Sequence, residues 1–171
     1  MLGSRMDKED IFNQLKDGKI DFAIIDSSSD DDIFDGIVLD TYNLVPVCYT
    51  LGKFENIKRV TREMLKNNSI IMGVDNMGMV AKETLKKANI KLNHNNFYVS
   101  NSMYTMSKLL ETKDGIGFMY NELIPLIDNV KKMELVNFKG QQDIYLLYSQ
   151  NSFDKSTIRH LIRKLKKWME N

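Results

Sequence analysis

The sequence predicts an α/β protein with largely parallel sheets packed between helices, on three observations. Short apolar runs bounded by turn residues alternate with stretches of helical spacing along almost the whole chain, as strand–helix–strand units require. The strand candidates, such as "SIIMGV" (69–74) and "IGFMY" (116–120), are apolar and too short to be helices. An apolar fraction of 43% with 27% charged residues belongs to a chain that folds around a core.

The elements follow in order. "SRMDKEDIFNQLKDGK" reads as a helix with Ile11, Phe12 and Leu15 on one face, a capping box of Ser4 with Asp7, and Gly18 as its stop. "IDFAII" (20–25) reads as a buried strand and "DSSSDDD" (26–32) as a polar loop. "IFDGIVLD" (33–40) and "LVPVCYT" (44–50) are two further strands, and Pro46 puts the second at an edge or a crossover. "VTREMLKNN" (60–68) is a short helix, "SIIMGV" a strand, and "MVAKETLKKA" (79–88) a helix. "NFYVS" (96–100) is a strand, and "SMYTMSKLLETKD" (102–114) is a helix with Met103, Met106, Leu109 and Leu110 on its apolar face. "IGFMY", "ELVNF" (134–138) and "DIYLLYS" (143–149) are strands, and "DKSTIRHLIRKLKKWMEN" closes the chain as an amphipathic helix. Its apolar side is Ile158, Leu161, Ile162, Leu165, Trp168 and Met169. No internal repeat or low-complexity linker interrupts the series.

Bulk properties exclude several classes. A length of 171 residues suits one ordinary domain, or two small lobes sharing a sheet system. With 24 basic against 23 acidic side chains the net charge is +1, without the excess of a dedicated nucleic-acid binder. The lone Cys48 forms no internal disulfide, which suits a reducing compartment. No apolar stretch approaches the roughly 20 residues of a membrane span, and "MLGSRMDKEDIF" lacks the apolar core of a secretory signal. The expectation is a soluble cytoplasmic protein without membrane contact.

Motifs narrow the chemistry. "DGIGFMY" suggests a phosphate cradle, but Tyr120 stands where a dinucleotide fingerprint needs its third glycine, and the order is helix, glycine, strand. Gly115 is therefore expected to cap the preceding helix in a left-handed conformation, and Gly117 to let the strand pass close to another backbone. "GVDNMGMV" (73–80) has the Walker glycine spacing but Met79 and Val80 in place of Lys and Ser/Thr. What remains there is a strand end meeting a helix start, with Asp75 or Asn76 as the cap; "YVSNSMYTM" (98–106) repeats this with Ser100, Asn101 and Ser102. Such junctions bind small anions in open α/β sheets, and they are also ordinary caps. "SSSDDD" lacks the spacing of a calcium loop, and His94 and His160 stand alone, so neither a metal site nor a catalytic group is expected. Tyr98, Tyr104, Tyr120 and the methionines suit a pocket or the core. The basic side of the last helix (Arg159, Arg163, Lys164, Lys166, Lys167) is read as a solvated face.

With its elements in this order the chain resembles the effector-binding, or substrate-binding, domain of LysR-type transcriptional regulators. "LKDGKIDFAII" (15–25), "NLVPVCYT" (43–50) and "VSNSMYTMSKLLETKDGIGFMYNELI" (99–124) carry the likeness. The resemblance implies a type II periplasmic-binding-protein-like fold: lobe I from 1–43 plus 150–171, lobe II from 44–149, and a cleft. No residues resemble the family's helix-turn-helix or linker helix, or the strand and helix that open its effector domain, so lobe I is expected to be incomplete. The family's effector-contacting turns map onto Asp75, Asn76, Met77 and Gly78, and onto Ser100, Asn101, Ser102 and Met103. The resemblance thus implies a regulatory domain that senses a small organic anion, homodimeric and not an enzyme, with no cofactor, metal or direct nucleic-acid contact. Rival readings are a solute-binding protein of the same fold, a small enzyme such as a dehydratase, and a stand-alone dimerisation module.

Overall fold

A computed structural model describes residues 8–26, 32–74, 76–91, 97–150 and 155–169, and the chain divides into two units. Unit 1 comprises Met1–Thr41 with Asp143–Asn171, and unit 2 is Tyr42–Gln142. Strands β2 (Phe34–Tyr49) and β9 (Gly140–Ser149) are neighbours in the strand order, and each runs through both units.

Unit 1 opens with α1 (Lys8–Lys16), whose Leu15 is buried. Gly18 stops it as the sequence predicts, at φ 66°. The Gly18 N–H donates to the Leu15 carbonyl (3.2 Å) and the Lys19 N–H to the Gln14 carbonyl (2.9 Å), the paired bonds that satisfy a helix's last acceptors. The capping box of Ser4 and Asp7 lies outside the described residues, as does most of the 26–32 loop. Strand β1 (Phe22–Ile25) pairs antiparallel with β9, Ala23 opposite Leu147. Leu15, Ile25 and Leu147 form a small core with Ile11, Phe12, Ile20, Ala23, Phe34 and Tyr145 around it. β1 is not the buried strand that its composition suggests. Phe22 and Ile24 are 44% and 61% exposed, because β1 ends the strand order and only alternate residues face α1. The last helix, α5 (Lys155–Met169), spans the expected segment, with Leu161, Ile162 and Leu165 half-buried. Trp168 departs from its expected place on the packed side and is 76% exposed.

In unit 2, β4 (Ile70–Gly73), β5 (Phe97–Ser100) and β6 (Ile116–Tyr120) are parallel, in spatial order β6-β4-β5. Helices α3 (Asn76–Lys87) and α4 (Met103–Lys113) provide the crossovers that parallel strands require. Elsewhere the sheet is antiparallel: β2 pairs with β6, Pro46 opposite Phe118, and with β7 (Val130–Lys132), Cys48 opposite Lys131. The sheet is thus mixed rather than largely parallel. The link from β6 to β7 is a 3₁₀ turn at Asn121–Leu126, with no helix to carry the chain back across the sheet. The core is built on Leu65, Ile70, Ile71, Met72, Leu85, Met106, Leu110, Ile116, Phe118 and Met119, all inaccessible to solvent or nearly so.

Other elements differ from the sequence reading for identifiable reasons. The two strands read at 33–40 and 44–50 are one, β2. Its polar middle continues because Thr41 donates to Asp143 (2.7 Å) and Gln141 donates to Asn43 (3.0 Å), from facing positions on β9. Pro46 sits within this strand, its carbonyl accepting the Met133 N–H at 2.8 Å. The strand read at 134–138 shrinks to β8 (Glu134–Leu135), parallel to β3 (Arg59–Val60), and Asn137 at φ 63° turns the chain. The sequence reading finds neither β7 nor the 3₁₀ turn. Helix α2 (Arg62–Asn67) matches expectation, with the Thr61 side chain accepting from the Met64 N–H.

Candidate functional site

The paired glycines settle first. Gly115 is not the left-handed residue: Asp114 is, at φ 45° and ψ 49°. Its carboxylate accepts the Lys53 N–H at 3.0 and 3.1 Å, so a side chain with a task occupies the turn that glycine was expected to fill. Gly115 instead allows close approach, since a Cβ there would lie 2.7 Å from the Ser69 carbonyl oxygen and 2.6 Å from Ile71 Cδ1. Gly117 makes room for side chains, not for a backbone. Its Cβ would meet Leu110, Met106 and Val47 at 3.0 to 3.2 Å. The segment is a packing joint with no free N–H cradle.

The two helix starts are brought together. β4 and β5 pair in parallel with Gly73 opposite Ser100, and the Val74 N–H donates to the Ser100 carbonyl at 3.0 Å. α3 and α4 therefore begin at the carboxyl ends of two adjacent parallel strands. The first turn of an α-helix has N–H donors with no partner inside the helix, and its dipole is positive at that end. Neither first turn carries an acidic residue, and Asp75 directly precedes α3 in the sequence.

Each expected site residue has a definite place. Asp75 lies outside the described residues. Asn76 is the first helical residue of α3, so the cap position precedes it. Met77 is buried in the core, which leaves only its main chain for a ligand. Gly78 is buried as well, and a Cβ there would fall on the Gly73 carbonyl oxygen, so the glycine is what lets α3 start directly over the strand end. The buried Ser100 hydroxyl is held locally, donating to the Ser102 carbonyl (2.9 Å) and accepting the Ser102 N–H (3.1 Å). Asn101 and Ser102 are exposed, and Ser102 caps α4 by accepting the Thr105 N–H at 3.4 Å. Met103 is half-buried against the core.

A third strand end, that of the strand expected at 116–120, shares this edge. β6 is parallel to β4 and ends at Tyr120, whose ring meets Tyr42 edge-on at 5.7 Å. Beyond it, Glu122 accepts from the Asn43 N–H (3.1 Å) and side chain (3.4 Å), and Asn121 accepts from Lys132 (3.3 Å). The 3₁₀ start at Asn121 has no helical spacing to reveal it. No cluster of His, Cys, Asp and Glu suited to a metal ion occurs among the described residues. None of their helices is long and apolar enough to cross a membrane. Burial pushes the Cys48 thiol above its ordinary range, which keeps it protonated.

The family model of the LysR substrate binding domain matches residues 4–170. The chain belongs to the LysR substrate-binding domain family. This family is the effector-sensing regulatory part of LysR-type regulators, and its type II periplasmic-binding-protein-like fold is the one expected from the sequence. Solved structures agree at the level of fold. The effector-binding domain of BenM with its effector benzoate superposes with a TM-score of 0.77 at 13% identity, over 95% of this chain and 75% of that one. The effector-binding domain of QuiR in complex with shikimate gives 0.73 at 18% identity, over 96% and 79%. The reduced form of OxyR gives 0.71 at 17% identity, over 97% and 79%. A search of curated proteins finds no match.

Proposed function

We propose that this LysR-type domain senses a small organic anion, bound at the adjoining starts of α3 and α4, and that its role is regulatory with no catalytic step of its own. The observation that carries this is the register of Gly73 with Ser100, which aligns two positive helix ends at one strand edge with no acidic residue in either first turn. The anion's oxygens accept main-chain N–H groups of Asn76–Gly78 and Met103–Tyr104. The exposed hydroxyl of Ser102 and carboxamide of Asn101 supply the side-chain contacts. Ser100 positions this turn through its two bonds to Ser102. Two of the similar structures hold a carboxylate in this family's fold, benzoate in BenM and shikimate in QuiR. Binding to one arrangement of the domain over another is what converts occupancy into a regulatory signal. The reading also carries a cytoplasmic homodimer that needs no cofactor.

Calorimetric titration with a panel of small carboxylates, each beside its neutral amide, tests the assignment. At least one acid should bind where its amide does not. Replacing Ser100 and Ser102 together by alanine should weaken that binding, with thermal melting as the control for folding. Unchanged affinity in the double variant rules out these positions.

A further inference from the structure

Unit 2 contains a cavity of about 570 Å³ lined from β2, from the chain between Lys131 and Phe138, and from the segment leading into β3. Its apolar walls are Leu44, Pro46, Ile57, Met133, Leu135 and Phe138. Leu44, Pro46 and Met133 are buried, and the other three are half-buried. The Phe138 ring packs on the buried Phe118 at 5.2 Å, which ties the wall to the core. This size and this apolar lining are those of a small-molecule site. The cavity is separate from the helix starts. Val47 of β2 pairs with Gly117 of β6 on one edge and with Lys132 of β7 on the other. β2 and β6 therefore stand between β7 and the ends of β4 and β5.

Hydrogen bonds hold the walls in place without a ligand. The Lys131 ammonium donates to the Glu55 carbonyl, fastening the turn before Ile57 to β7. The Glu134 N–H donates to the Lys58 carbonyl at 2.8 Å, and the Met133 N–H to that of Pro46. The charges at the rim are one-sided. Glu134 is the one acidic side chain in the lining, and Arg59 already pairs with it at 3.2 Å. Lys132 has a neutral partner, the Asn121 carboxamide, at 3.3 Å. The exposed Lys58 has no carboxylate partner among the described residues. An apolar, mostly aliphatic wall below unopposed ammonium groups suits a molecule with an aliphatic body and one anionic head.

We propose that this cavity is a second ligand site, which takes a monocarboxylate with an unbranched aliphatic tail. The tail lies along Leu44, Pro46, Met133 and Phe138, and the carboxylate meets Lys58 and Lys132 at the rim. The site is independent of the helix starts, and the two can be filled together.

Nitrogen–proton correlation spectra of the labelled chain, titrated with octanoate beside hexanoate and the neutral octanol, test the site residue by residue. The amide signals of Ile57, Lys58, Met133, Leu135 and Phe138 should move saturably with octanoate. Hexanoate should bind there about tenfold more weakly, because each missing methylene is worth a factor of about four. Octanol should bind about fivefold more weakly or worse, and so should octanoate to Lys58→Gln. Lys58 is exposed, so glutamine is compatible with the fold, and a circular-dichroism melt checks this. Replacing Ser100 and Ser102 together by alanine should leave the response of the cavity unchanged. Cavity signals that stay in place or fail to saturate overturn the proposal. So do equal affinities for octanoate and octanol, undiminished binding by Lys58→Gln, or loss of the response in the serine double variant.

Discussion

Gly78, in the first turn of α3, lies directly against the carbonyl of Gly73 at the end of β4. A Cβ on Gly78 would fall on that oxygen. The junction therefore depends on Gly78 having no side chain, and the contact is with main chain that no rotamer change can relieve. Gly78→Ala should lower stability by about 3 kcal/mol, the upper end of the overpacking range, because α3 must lift off the strand. Urea denaturation measures it, and a loss under about 0.5 kcal/mol would mean that α3 does not sit where described.

Asp114 offers a separate check on the glycine segment. Its left-handed backbone tolerates Asn better than Ala, and its carboxylate receives the Lys53 N–H. Asp114→Ala should cost about 1–3 kcal/mol. Asp114→Asn should cost clearly less, since it keeps one acceptor and the αL preference. The two denaturation midpoints decide the matter, and equal losses would show that neither backbone strain nor this bond governs the turn.

Cys48 links stability to pH. Burial raises its folded-state pKa above that of the unfolded chain, so the folded state holds the proton to higher pH. Its contribution is complete below the unfolded thiol pKa and is lost as pH rises through the folded one. Wild-type stability should accordingly fall faster above the ordinary thiol range than that of Cys48→Ala. A thiol reagent at neutral pH should react slowly with the native chain and quickly in denaturant. Rapid native labelling would contradict the burial.

What the sequence reveals is largely what neighbouring residues decide. Gly18, Thr61 and Ser102 end or begin helices through bonds reaching a few residues along the chain, so their spacing is readable. Gly115 misleads because its reason is distant: Ser69 and Ile71 pass close to it, while the left-handed turn falls to Asp114 for the sake of Lys53. β2 reads as two strands because Thr41 and Asn43 find their partners, Asp143 and Gln141, on β9 about a hundred residues later. β1 reads as buried because composition does not show which strand ends a sheet. For the candidate site, the two junctions are legible as strand, polar turn and helix, but their adjacency is a matter of sheet register. That Met77 and Gly78 lie inward while Asn101 and Ser102 lie outward follows only from packing.

The most direct test of anion sensing at this edge is a nitrogen–proton correlation spectrum of the labelled chain, titrated with benzoate and shikimate in parallel with benzamide. If the adjoining helix starts are the site, the amide signals of Met77, Gly78, Met103 and Tyr104 move with at least one of the two carboxylates, saturably, and stay in place with the neutral amide. Saturable shifts elsewhere with these four unmoved, or identical responses to acid and amide, would contradict it.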